Sequence, residues 1–234
     1  MMTRIYLVIF LCCCCVLKGE ISHFDRLALL KQKGFNPTVI YDIGAFKGEW
    51  STTIQTIFPS AHFFLFEANK AHTRNLQLTG FPYFIALLGD KKDLVTFYSI
   101  DFTGDSIFRE STVWYKEGQC IEKKLPMTTL SALVQENHLP LPDLIKMDVQ
   151  GAEKLIIQGG IDIISHAEAI ILETKILEYN THAPFLYDIM ILMHELGYRA
   201  SDILELHYLP AGELNEVDFL FLKNDSKFIK KDFQ

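Results

Sequence analysis

Nowhere in this 234-residue chain do lysines and arginines gather into a patch, and 29 acids against 22 bases give a formal charge of −7. A protein that neutralises many phosphates of DNA or RNA needs the opposite balance, so no nucleic-acid partner is expected. Cysteine is scarce where it would count: four of the five form one block, Cys12 to Cys15, and only Cys120 lies elsewhere. Adjacent cysteines do not easily bridge each other, so there is no disulfide framework, and no Cys/His spacing suits zinc, so no metal is assigned. Internal repeats and low-complexity linkers are also missing. With 49% of its residues hydrophobic, the chain can bury one sizeable core in a single domain.

A long hydrophobic run is absent too. The most apolar stretch, IYLVIFLCCCCVL, is flanked by Arg4 and Lys18. As a helix it reaches only about 20 Å against a hydrocarbon core of roughly 30 Å, too short to span. No small-x-small cleavage site follows it. Residues 1–20 therefore read as an apolar N-terminal extension that docks on the domain or touches a membrane surface peripherally, with its cysteines as candidates for acylation. Residues 21–234 form the domain proper.

What is present is an alternation of strands and helices. Ser22 can cap a helix with Asp25 three residues on, Phe24, Leu27 and Leu30 give it an apolar stripe, and Gly34 ends it. A strand at Val39 to Ile43, a helix from Lys47 to Phe58 closed by Pro59, and a strand HFFLFE ending in Glu67 follow at short spacing, which implies a parallel sheet. PYFIALLGD continues the pattern, DLVTFYSI reads as an edge strand or hairpin, and DFTGDSIFRESTVWYKEGQ as a loop over one face. PDLIKMD and AEAIILE are buried strands that end on Asp148 and Glu173, with a helix opened by AEKLIIQGG between them. A last helix carries Phe185, Ile189, Leu192, Met193 and Leu196 on one face, and ASDILEL and VDFLFLK make a terminal pair that can be antiparallel. The fold class is α/β, doubly wound, with a hairpin at its end. Because ligands of open α/β sheets bind at the carboxyl ends of the strands, Glu67, Asp148 and Glu173 should gather on one rim.

The stretch VIYDIGAFKGEWS, residues 39–51, turns a buried strand into a helix through Gly44 and Gly48. Such a turn lets a ligand approach the backbone, and in a dinucleotide site it cradles a pyrophosphate. Here Ala45 stands where the second glycine of that fingerprint belongs, which serves a pyrophosphate poorly. Glu67 still stands where a ribose diol can be bound. A nucleoside without phosphates fits better, and S-adenosylmethionine is one: carboxylates on the rim receive its ammonium and offset its sulfonium charge. Trp50 reads as core packing for the helix, and Lys146, on one strand face with Asp148, as the salt-bridge partner of that acid.

VIYDIGAFKGEWS, FFLFEANKAH, DLIKMDVQGAEKLIIQGG, IILETKILEYN and EVDFLFLK together resemble the successive motifs of the FkbM family of S-adenosylmethionine-dependent methyltransferases, over residues 38–223. The Asp-Val-Gln-Gly-Ala-Glu stretch is the most specific part. The resemblance implies a Rossmann-like class I methyltransferase fold, mostly parallel with a C-terminal antiparallel hairpin. It implies a first cofactor motif at Asp42, Gly44, Ala45 and Gly48, a ribose acid at Glu67, an adenine-side loop at Gly89 and Asp90, and Asp148 beside the methyl donor. One departure is Ser131, which follows MTTL where the family usually has an acid. The implied reaction is O-methylation of a sugar-like or secondary-metabolite hydroxyl on a small molecule or glycan, with Asp148 or Glu173 as base and Tyr179 and His182 placed to orient the acceptor. Because the donor is made and used in the cytosol, the expected location is cytoplasmic, with any membrane contact through the extension. Two other readings share this sheet: a nicotinamide-dependent oxidoreductase and a catalytically silent methyltransferase-like binding module.

Overall fold

The computed structural model describes residues 22–99, 104–111, 120–178 and 180–229. The apolar extension and Tyr179 therefore lie outside the described residues.

Five-residue strand β1 (Val39–Ile43) is buried along its whole length. It pairs in parallel with β2 (His62–Glu67) on one side and β7 (Leu144–Met147) on the other. Outward from β2 lies β3 (Tyr83–Ile85); outward from β7 come β8 (Ala169–Lys175), β10 (Leu214–Lys223) and β9 (Tyr198–Tyr208). The seven-stranded order is β3-β2-β1-β7-β8-β10-β9, and β10 alone runs antiparallel to its neighbours. A smaller sheet, β4-β6-β5, is built from β4 (Leu87–Gly89), β5 (Asp93–Ser99) and β6 (Ile121–Thr129). The mostly parallel α/β sheet with its terminal antiparallel pair is the architecture expected above. β6 escapes a reading of apolar alternation because Lys123, Lys124 and Pro126 interrupt it, and its outer residues are solvated.

Alternating side chains divide the sheet into two cores. On one face Tyr41, Ile43, Phe66, Met147 and Leu172 meet α4 (Leu130–Glu136), α5 (Glu153–Gln158), α6 (Ile161–Ile164) and α7 (Leu186–Glu195) through Leu133, Ile156, Ile163 and Met193. On the other, Ile40, Leu65, Leu144 and Ile171 meet α1 (His23–Gln32), α2 (Glu49–Gln55) and α3 (Thr73–Thr79) through Leu27, Ile54 and Leu76. Ser22 does cap α1, accepting from the Asp25 amide at 3.2 Å. α2 is shorter than the expected 47–58, because Gly48 in the left-handed region (φ 79°) is its N-cap and the chain turns again before Pro59. This second core carries charge at its rim. Asp42 lies opposite Lys146, and Glu173 opposite Asp218, which lies opposite Glu205.

Candidate active site

The turn after β1 is held by the strand beside it. The amides of Gly44 and Ala45 both donate to the Phe66 carbonyl, at 2.9 and 3.0 Å. Gly44 has φ 77°, and a Cβ there would run into the Asp148 carbonyl oxygen, so glycine is required both by conformation and by close approach. Glu67 then closes the turn: its carboxylate accepts from the Phe46 amide at 2.8 Å and the Asn69 amide at 2.7 Å. Burial pushes this carboxyl up to about 7, against the two amides, which favour its ionised form. Above it opens a cavity of about 690 Å³, open solvent at its mouth included, bordered by Gly44, Phe46, Glu67, Leu88, Asp148 and Ile156.

A second turn leads from β7 into α5. Gln150 (φ 55°) and Gly151 (φ 101°) both take left-handed conformations, and the buried carboxylate of Glu153 accepts from the Val149 and Gly151 amides at 3.1 and 3.3 Å. This geometry swings the Gln150 amide between two acids. Its Nε2 donates to Asp148 Oδ1 at 3.2 Å and to Glu173 Oε2 at 2.9 Å. The residue types alone gave no reason to single out Gln150; its place inside the most specific motif is the signal that could have.

Asp148 also lines a second cavity of about 860 Å³, open solvent included, on the α1/α2 face of the rim, and among the described residues it alone borders both. Trp50, Lys146, Glu173, Glu205, His207 and Asp218 face this second space. Lys146 stands 3.3 Å from Asp148 Oδ2 and 3.5 Å from Asp42 Oδ1; burial opposes its charge, but the two acids hold its ammonium above the ordinary value. Burial, reinforced by Asp148, pushes the Glu173 carboxyl well above the usual range, while Lys175, 3.7 Å away, opposes the shift. Asp218 faces His23 at 2.7 Å and His207 at 3.5 Å. Burial disfavours its ionisation, yet the two imidazoles keep it below the usual range, and Asp218 in turn pushes His207 up to about 9.

The rim thus brings together Gly44, Glu67, Asp148 and Glu173. The other residues singled out from the sequence sit elsewhere. Asp42 is fully buried beneath the turn and accepts from Ser51 Oγ at 2.6 Å, bracing α2 against β1. Ala45 packs in the second core, and Gly48 abuts Thr79, 2.7 Å from where its Cβ would stand. Gly89 is wedged against Met127 and Gly159 and borders neither cavity; Asp90 is exposed, and Leu87 and Leu88 line the cavity instead. His182 is exposed, with φ 67°. Trp50 packs against the second core while its indole reaches His23.

Solved structures of similar shape include an uncharacterized protein from Listeria monocytogenes serotype 4b (8% identity, 88% of this chain and 70% of that one, TM-score 0.50). Another is a magnesium protoporphyrin IX methyltransferase from Synechocystis PCC 6803 solved with bound S-adenosylmethionine (12%, 86% and 77%, TM-score 0.47). A third is a 1,6-didemethyltoxoflavin-N1-methyltransferase from Burkholderia thailandensis with bound S-adenosylhomocysteine (11%, 87% and 80%, TM-score 0.47). At these identities the likeness concerns the fold alone. Curated proteins give no match. The family model described as Methyltransferase FkbM domain matches residues 42–200, more than half of the chain, and spans both turns, Glu67, Asp148 and Glu173. Gly44 and Glu67 border the first cavity, and the residues present fit S-adenosylmethionine; a dinucleotide site shares such a turn and acid, so it is the family match that sets the oxidoreductase reading aside. The chain belongs to the FkbM methyltransferase family, and its methyl donor is S-adenosylmethionine.

Proposed function

We propose that this methyltransferase modifies a hydroxyl of a small polar acceptor, with the donor in the cavity beside Gly44 and Glu67 and the acceptor in the cavity beside Lys146 and Glu173. The observation that carries this reading is that Asp148 borders both spaces. When bound, S-adenosylmethionine supplies an electrophilic methyl group whose S–C electron pair returns to sulfur as the acceptor oxygen forms its C–O bond. The protein's part is alignment and removal of one proton.

Glu67 would accept hydrogen bonds from the ribose diol. Asp148 takes the proton of the acceptor hydroxyl, and Glu173, tied to it through Gln150, holds the acceptor in register. Carboxylates that accept from neighbouring hydroxyls suit a sugar-like acceptor better than an apolar one. The test is a screen of polyhydroxylated and phenolic compounds with methyl-labelled donor, analysed by mass spectrometry. Label on an oxygen that fails to appear with Asp148→Asn supports the reading. Label on nitrogen or carbon rejects O-methylation, and a protein that binds the donor but labels nothing supports the silent binding module.

A further inference from the structure

Among the described residues two sets of three side chains offer ligand atoms within 4.8 Å of one another: His23, Glu205 and Asp218, and Glu173, His207 and Asp218. Hydrogen bonding separates them. Trp50 Nε1 can only donate, and it points at His23 Nδ1 from 3.2 Å. The ring proton of His23 therefore sits on Nε2, which donates to Asp218 Oδ2 at 2.7 Å. With both nitrogens engaged, His23 has no lone pair to give. Its effect is to fix one oxygen of Asp218 and leave the other.

That other oxygen, Asp218 Oδ1, is buried without a hydrogen-bond partner, and so is His207 Nε2, whose 3.5 Å approach to Asp218 Oδ2 is an ion pair without hydrogen-bond geometry. Asp218 as a residue is only 9% exposed, so water offers its free oxygen little. Glu173 completes the set from the neighbouring strand, with Gln150 and Lys175 behind it. The cavity these groups face is lined by five carboxylates, those of Glu49, Asp148, Glu173, Glu205 and Asp218, against one permanent cation, Lys146. Such a balance draws in positive charge.

We infer that Glu173, His207 and Asp218 form a binding site for a divalent metal ion on the floor of the second cavity. One imidazole and two carboxylates suit an ion of intermediate softness such as Mn²⁺ or Zn²⁺ better than Ca²⁺. The ion takes the place of the proton on His207 and gives the free oxygen of Asp218 a partner, while the Trp50–His23 pair behind Asp218 orients that ligand as outer hydrogen bonds commonly do. Its use rests on the reading above: close to Asp148, it would bind the acceptor oxygen and stabilise its deprotonated form.

The experiment is a titration of the full chain with MnCl₂, following the free-ion signal by electron paramagnetic resonance, without donor or acceptor. One Mn²⁺ per chain, displaced by Zn²⁺, is expected. His207→Ala and Asp218→Asn should each weaken it tenfold or more, while His194→Ala, an exposed histidine on α7, should not. S-adenosylmethionine affinity and the melting transition serve as folding controls, and His207→Ala carries the test if Asp218→Asn does not fold. No Mn²⁺ or Zn²⁺ binding up to millimolar concentration, or equal affinity in wild type and His207→Ala, overturns the site and leaves the cluster as a His207–Asp218 ion pair. Because the titration contains no donor, its outcome is independent of whether methyl transfer has been assigned correctly.

Discussion

The two sides of the rim are made in different ways. Around the 690 Å³ cavity the wall nearest β1 is set by backbone, in the turn hung on the Phe66 carbonyl, Gly44 against the Asp148 carbonyl and Glu67 clasping two amides, and apolar side chains close the rest. Around the 860 Å³ cavity the shape comes from charged side chains of α1, α2, β7, β8, β9 and β10, most of them held by another side chain. A backbone cradle suits a cofactor whose form never changes, and a wall of side chains can be altered one residue at a time to suit an acceptor. Asp148 stands between the two constructions.

That boundary is where the largest effect should appear. Asp148→Asn keeps the shape and removes the charge, so turnover should fall by roughly 10²–10⁴ while the donor's dissociation constant moves little. A reversed pattern, weak donor binding with intact turnover at saturation, would transfer Asp148 wholly to the backbone-built side. Measuring both constants on one variant decides it.

Next comes the cradle itself. Gly44→Ala puts a methyl group against the Asp148 carbonyl at φ 77°, where an L-residue is also strained. A loss of about 3 kcal/mol in denaturant unfolding is expected, together with loss of donor binding. A stable variant that still binds the donor would mean the turn is looser than the geometry requires.

Glu67→Gln should weaken S-adenosylmethionine about tenfold, since charge-assisted hydrogen bonds to the ribose are worth roughly 1.5–3 kcal/mol. The pH dependence sharpens the point. Burial raises the Glu67 carboxyl from 4.5 to about 7, so the folded protein favours its protonated form. Its contribution to stability is full below 4.5 and is lost as pH rises through about 7, the opposite of an ion-paired acid. Donor binding wants the carboxylate, so affinity should improve between pH 6 and 8 in the wild type and stay flat in Glu67→Gln; calorimetric titration at each pH checks this, and an equal pH slope in both would exclude Glu67 as its source.

The smallest effect belongs to the link between the sides. Gln150→Ala leaves both acids in place but frees them from each other, and a fall in turnover of about tenfold or less is expected with donor affinity unchanged. Wild-type turnover would make the bridge dispensable and the two sides independent.

The sequence by itself settled the β1 turn with its glycines, the acids closing β2 and following β7, the capped first helix and the antiparallel close of the sheet, while Glu173, expected to end its strand, lies two residues inside β8 because the pairing with β10 continues to Lys175. These are local matters: strand periodicity, a turn that needs positive φ, and a cap three residues from its donor all act within a few positions of the chain. It did not reveal β6, whose lysines and proline break the alternation, nor that Leu87 and Leu88, rather than Gly89 and Asp90, border the cavity. Nor could it bring His23, Glu173, His207 and Asp218 together. That meeting depends on β8–β10–β9 pairing, in which Glu173 faces Asp218 and Asp218 faces Glu205, with irregularities in the β9–β10 register on either side of Asp218. A shift of one residue in that register would turn each charge to the opposite face, and the register is kept by the turn between Leu209 and Glu213 together with the packing of α1 and α7 against β9.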